Sequence, residues 1–150
     1  KAGIGVMNSI QRLIPQRHPF LFVDTILTAD KERIVGIKNF PASFIFTYND
    51  SLAGKIIPPG ILIETLVQCG GAGAAQLCLV GQQLMGLAAL EKVTFYGAVR
   101  PGDSVKLVVK NLKVSPKILK QAGSAWVVEK PVLQALWTCL AVDFAAPARD

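Results

Sequence analysis

Histidine is almost missing from this 150-residue chain, with His18 alone, and cysteine is scarce, with Cys69, Cys78 and Cys139. No Cys-x-x-Cys pair occurs. A structural zinc site needs four Cys or His ligands at close spacing, so no metal site is expected. An odd set of three thiols in apolar runs also argues against a disulfide framework. They read as reduced, buried packing residues of a cytoplasmic protein. Charge is low: 17% of residues. That excludes a disordered tail and a charge-laced coiled coil. Acids are the scarcer sign, 10 against 16 Lys and Arg, for a net charge of +6. The excess favours an acidic partner, and it equally fits plain solubility. No internal repeat, low-complexity linker or apolar run near the start is present. One domain is therefore expected over residues 1–150, without a signal peptide. Residues 1–6, ahead of Met7, read as an extraneous leader and stay outside the fold reading.

Apolar residues are abundant, at 51%. A chain this long buries about 70% of its unfolded surface. The remaining apolar surface implies an oligomer or another partner.

Ile10–Ile14 reads as a short amphipathic turn stopped by Pro15. Phe20–Thr28 and Arg33–Asn39 are rich in Val, Ile and Phe, a hairpin about Asp30-Lys31. Residues 40–53 read as a mixed loop with Phe44, Phe46 and Tyr48. From Pro59 to about Val80 the chain is apolar nearly all round, which predicts a long buried helix. Its length approaches that of a membrane span. Glu64, Gln68, Gln76 and the three glycines Gly70, Gly71 and Gly73 count against that. Strand-like runs follow at 84–89, 92–96, 105–114, 118–129 and 132–144, with a turn at Arg100-Pro101-Gly102-Asp103 and a junction around Lys130-Pro131. The pattern predicts an α+β fold, with one helix wrapped by an antiparallel sheet.

Glu64 is the notable polar group. Placed in the first turn of an apolar helix, it would be favoured by the helix dipole and costly to bury without a partner. It reads either as a structural carboxylate or as a functional one. His18 reads as a packing residue or as a substitute base. Trp126, Trp137 and Phe144 read as core or dimer surface. Arg100, Lys106, Lys110, Lys113, Lys117 and Lys120 read as a solvated strand face or as a docking surface for an acidic protein. They are not interleaved with stacking aromatics, so nucleic-acid binding is not expected.

Four segments carry a resemblance: Ile14-Pro15-Gln16-Arg17-His18-Pro19-Phe20-Leu21-Phe22-Val23-Asp24, Lys38-Asn39, Pro58 to Gln68, and Val93-Thr94-Phe95 through Val99-Arg100-Pro101-Gly102-Asp103. In this order they resemble the 3-hydroxyacyl-(acyl carrier protein) dehydratases, hot-dog-fold enzymes of fatty-acid biosynthesis. The resemblance covers roughly residues 10–145. It implies a dimer or higher oligomer whose active site pairs a His from one protomer with a Glu from the other. It implies no cofactor, the substrate riding on the phosphopantetheine of acyl carrier protein.

Counted without gaps from Asn39, the family's Glu falls on Glu64 and its helix Gln on Gln68. The family's His falls on Asp50, within Asn49-Asp50-Ser51-Leu52-Ala53. The glycine that helps hold the thioester carbonyl falls on Pro59, which has no N–H, with Gly60 one residue late. The resemblance thus implies a divergent member lacking the catalytic His. Glu64 and Asp50 are its candidate catalytic residues. Phe44, Phe46, Tyr48, Pro59, Gly60, Ile61 and Gln68 are candidates for the acyl tunnel, and Arg100, Lys106, Lys117 and Lys120 for carrier docking. Two readings follow. One is a degenerate thioester-binding protein or partner subunit of an active homologue. The other is a working dehydratase or thioesterase in which Asp50, its pKa raised by burial or by Glu64, serves as base.

Overall fold

The computed structural model describes residues 10–81 and 83–142. Met7 and Phe144 lie outside that range. After a single 3-10 turn at Ile10–Arg12 come β1 (Thr25–Ala29), β2 (Arg33–Asn39), β3 (Tyr48–Asp50), β4 (Gly54–Ile56) and α1 (Pro59–Gln76). Then follow β5 (Leu84–Phe95), β6 (Ser104–Val114), β7 (Ile118–Val127) and β8 (Lys130–Val142). Six strands form one antiparallel sheet in the order β1-β2-β6-β7-β8-β5, while β3 and β4 form a separate hairpin. This is a single helix held by a large antiparallel sheet, as the sequence pattern predicts.

Period-two alternation decides which sheet face meets the helix. On β6 the buried residues are Val105, Leu107 and Val109, and on β8 the alternating set Leu133, Ala135, Trp137 and Cys139 is buried, with Val132 beside it. Across the gap α1 contributes Leu62, Leu66, Cys69, Ala72 and Ala74. Two interior glycines cost helix propensity, about 1 kcal/mol each relative to Ala. They let the backbone sit on the sheet: a Cβ on Gly70 would run into the Gln121 amide, and one on Gly73 would lie 2.5 Å from Ile34. Gln121 in turn donates to the Gly70 carbonyl at 3.1 Å and to Asn111 Oδ1 at 2.8 Å, pinning mid-helix to β7.

Several expectations change. The helix is not buried all round: Gly60, Ile63, Glu64, Val67, Gly71 and Ala75 form a half-exposed face, because the sheet covers one side only. It stops at Gln76, and Cys78, in left-handed conformation (φ 54), is exposed rather than buried. Among the described residues no helix is long and apolar enough to cross a membrane. The first strand begins at Thr25, since the backbone at Phe20 and Phe22 bonds to a helix side chain instead of a neighbouring strand. Residues 84–95 make one strand, its two irregularities absorbed as bulges. The last turn is Val128-Glu129, both with positive φ, and Lys130-Pro131 already belongs to β8. A two-residue hairpin needs that left-handed pair to match strand twist, which outweighed the Pro signal.

Candidate functional site

Glu64 and Gln68 stand four residues apart on α1, so they share a helix face. Gln68, 3% exposed, uses its whole amide. Its Nε2 donates to the Phe20 carbonyl at 2.8 Å and to Glu64 Oε1 at 3.1 Å. Its Oε1 accepts from the Phe22 N–H at 2.8 Å. One side chain thereby ties the segment ahead of β1 to the helix and orients the Glu64 carboxylate. Glu64 itself is half-exposed and lies in the second helical turn, since α1 has no acid in its first turn. The dipole argument for it therefore does not apply, because that effect fades within the first turn. Burial, with the nearby Glu64 charge as a lesser cause, pushes the Cys139 thiol up to about 11. Burial alone pushes Cys69 up to about 12. Both remain thiols at neutral pH and are poor nucleophiles.

The segment around Asp50 is built differently. Residues 48–56 form the β3–β4 hairpin rather than an open loop. Asp50 Oδ1 accepts from the Leu52 N–H at 2.9 Å and the Ala53 N–H at 2.7 Å. These two bonds hold the Asp50 carboxyl below its usual range. That is the opposite of the shift a carboxylate base needs. Leu52, at the tip, is 98% exposed. Arg100 braces the hairpin, its Nη2 donating to the Ala53 carbonyl at 3.1 Å, while Asp103 Oδ2 accepts from the Arg100 N–H at 2.8 Å. His18, the one histidine, is exposed at the turn before Phe20.

The helix entry carries the third element. Pro58 precedes α1 without a side-chain cap, and Pro59 takes the first helical position. The Pro58 carbonyl accepts from Ile61 at 3.0 Å and Leu62 at 3.3 Å. With no N–H on Pro59, the first free donor of the helix is that of Gly60. Gly60 is exposed, and a Cβ there would meet nothing within 4 Å.

Beside the half-exposed helix face runs a cavity of about 670 Å³. Its walls include Val67, Gln68, Gly71 and Ala75 from α1, Cys78 just past its end, the 12–16 segment, and Met85, Leu119 and Cys139. Of the residues expected in a tunnel, only Gln68 lines it. Phe44 packs into the core, and its ring meets Phe40 at 5.0 Å, Phe46 at 5.8 Å and Phe22 at 6.3 Å. Phe46 stacks on Phe20 at 5.7 Å, Tyr48 is exposed, and Ile61 packs on the core from the first turn. Sequence reading missed the cavity's small-residue floor. Gly71 and Ala75 continue the Glu64–Gln68 spacing and were the available signal.

The four docking candidates do not converge. Arg100 sits by the hairpin, Lys106 on β6 pairs with Trp126 on β7, and Lys117 lies in the β6–β7 turn. Lys120, in an ion pair with Glu91 at 3.3 Å, faces Lys113, about 23 Å along β6 from Lys106 at 3.3 Å per residue.

No family model matches the chain. Curated relatives do. The chain is 34% identical over 131 residues, 86% of this chain and 92% of the relative, to the 3-hydroxyacyl-(acyl-carrier-protein) dehydratase FabZ of Desulforamulus reducens. It is 38% identical over 129 residues, 84% of this chain and 86% of the relative, to the protein of that name from Syntrophobacter fumaroxidans. This chain belongs to the 3-hydroxyacyl-(acyl-carrier-protein) dehydratase family. Solved structures agree on the fold. The dehydratase heterocomplex ApeI:P of Xenorhabdus doucetiae superposes with a TM-score of 0.77 over 90% of this chain and 91% of that one, at 12% identity. A hypothetical thioesterase protein from Streptococcus pneumoniae, crystallised with coenzyme A, gives 0.60 over 79% and 84%, also at 12% identity. The fold is the hot-dog fold of these neighbours.

Proposed function

We propose that this chain is a dehydratase-family protein that binds 3-hydroxyacyl or enoyl thioesters of acyl carrier protein in fatty-acid or polyketide-type biosynthesis in the cytoplasm. In this reading it is catalytically degenerate, or the partner subunit of an active homologue. The observation that carries the reading is at position 50. Dehydration of a 3-hydroxyacyl thioester needs a group that takes the α-proton and helps the hydroxyl leave, and imidazole suits both because it titrates near neutral pH. Asp50 instead spends its acceptor on its own hairpin and is held ionised to low pH.

The binding half of the site is kept. Glu64 is oriented by Gln68, and Gly60 offers an N–H at the helix entry in place of Pro59. The cavity along α1 has the volume of an ordinary small-ligand pocket. Arg100, beside the hairpin, is the cation of the four docking candidates closest to that entry in the fold, and it is the one expected to meet the carrier. A dimer, with itself or with a homologue, is supported by β5. This long edge strand exposes Leu87 and Leu90, the hairpin exposes Tyr48 and Leu52, and Ile45 is exposed just ahead of it. Unpaired apolar edges of that length invite strand pairing.

Incubation with a 3-hydroxyacyl thioester tests the reading. Binding without enoyl product or free thiol is expected. Enoyl formation should appear on combining Asp50→His with Pro59→Gly. Enoyl or thiol release by the unaltered protein, abolished by Glu64→Gln, would overturn degeneracy and favour chemistry on Glu64.

A further inference from the structure

The glycines Gly70, Gly71 and Gly73 of α1 are not alike. Gly70 and Gly73 sit on the sheet, where a Cβ would run into the Gln121 amide or into Ile34. Gly71 faces the other way. A Cβ there would meet nothing within 4 Å, and the backbone is ordinary helix. Glycine inside a helix is disfavoured against alanine, because it gives up more backbone entropy on folding. Neither packing nor backbone conformation accounts for that cost at position 71. What the missing side chain leaves is space, and the space belongs to the cavity of about 670 Å³ that Gly71 lines.

The cavity borders the Glu64 carboxylate. Gln68 lines it and donates to Glu64 at 3.1 Å. Cys139 lines it too, and its thiol is raised first by burial and then by the Glu64 charge. Gly71 comes seven residues after Glu64 and Ala75 eleven. At 3.6 residues per turn, both lie within about 20° of the Glu64 direction. At the helical rise they stand about 10.5 and 16.5 Å further along the axis. Met85 and Leu119 wall the same space. Of the polar groups around it, Arg12 and Gln83 are exposed and keep their hydration, and the Gln68 amide is spent on Phe20, Phe22 and Glu64. The strip past Gln68 is therefore small and apolar, in line with the carboxylate.

Its reach translates into a chain length. An extended peptide gains about 3.3–3.6 Å over three backbone bonds, so an extended carbon chain gains about 1.1–1.2 Å per bond. From the level of Glu64, about nine bonds reach Gly71 and about fourteen reach Ala75. An acyl chain with its thioester end at Glu64 passes Gly71 once it exceeds about ten carbons.

We infer that Gly71 is a specificity-determining residue, and that acyl chains of more than about ten carbons are the class this cavity takes. The inference rests on the thioester reading above and adds to it the acyl group and the residue that selects it. It holds whether the thioester is turned over or only bound.

Calorimetry on the full-length protein tests it. The probes are 3-hydroxyhexanoyl, 3-hydroxydodecanoyl and 3-hydroxyhexadecanoyl thioesters of acyl carrier protein, which keeps the long chains in solution. Affinity for the unaltered protein should rise with length, since each buried methylene is worth about fourfold. Gly71→Leu should weaken both longer probes about tenfold or more and the hexanoyl probe by less than about threefold. Ala75→Leu, one turn further on, should weaken the hexadecanoyl probe alone. The two variants are independent, so if one fails to fold the other decides. The inference is overturned if the folded variants weaken all three probes equally, as displacement of a second copy packed over Gly71 would, or weaken none. It is overturned as well if the unaltered protein binds the shortest and longest probes alike. Binding of none of the three by the unaltered protein overturns the thioester reading, and this inference with it.

Discussion

Hydrogen bonds hold the Glu64 and Asp50 carboxylates to opposite ends. At Gln68–Glu64 the bonds join segments far apart in sequence, residues 20–22 to residues 64–68, at a buried amide. At Asp50 the bonds close a loop three residues long at an exposed tip. The first arrangement leaves its carboxylate on the half-exposed helix face and is bound into the core. The second consumes its carboxylate locally and can be rebuilt without disturbing the sheet. A change at position 50 can thus leave the fold and the helix carboxylate in place.

The contrast can be broken most severely from the core side. Leu66 is fully buried beneath the site. Leu66→Ala should cost about 2–5 kcal/mol, read as a lowered denaturation midpoint with unchanged slope. Gln68→Leu should cost less, about 1–3 kcal/mol, because the buried Phe22 N–H loses its acceptor. It should also release Glu64, so thioester affinity falls even in protein that remains folded. If Gln68→Leu leaves both stability and thioester affinity unchanged, the two sites do not differ as described.

Asp50→Ala is the matching change at the tip. It should leave global melting unmoved and accelerate amide exchange at Leu52 and Ala53. In the unaltered protein that protection has a defined pH dependence. The Asp50 carboxyl titrates below its usual value of 3.8. Its stabilisation is therefore present above that value and is lost only as pH falls through the lower folded one. Exchange at Leu52 that loosens well above pH 4 would contradict the two backbone bonds.

The smallest effect concerns thiols. One adduct per chain, on exposed Cys78, should form with iodoacetamide at neutral pH. Cys69 and Cys139, at about 12 and about 11, should stay unmodified until unfolding. Glu64→Gln should lower the Cys139 pKa slightly, since burial is the larger cause.

Much of the fold was legible because it is written in periodicity. Alternation along residues 105–114 and the apolar run after Pro59 announce a sheet and a helix without any distant contact. The order of four motifs gave the family, which the curated relatives bear out. Less was legible where a residue's role depends on what lies across space. The stretch 48–56 carries Asn-Asp-Ser and a glycine, which read as loop, yet it pairs into a hairpin. The basic residues from Arg100 to Lys120 form one run in sequence and three separate places in the structure. Phe44, Phe46 and Tyr48 are close in sequence, but one fills the core, one stacks on Phe20 and one faces outward.

By itself, then, the sequence determined the one long helix and the alternating strands of the main sheet. Those follow from residue type and short-range spacing. Tertiary structure alone decided that Gln68 reaches back to Phe20 and Phe22 and that small helix residues floor a cavity. Each depends on strand register and on which side of the helix the sheet covers. Those are set by the packing of the whole chain, and no local stretch of residues encodes them.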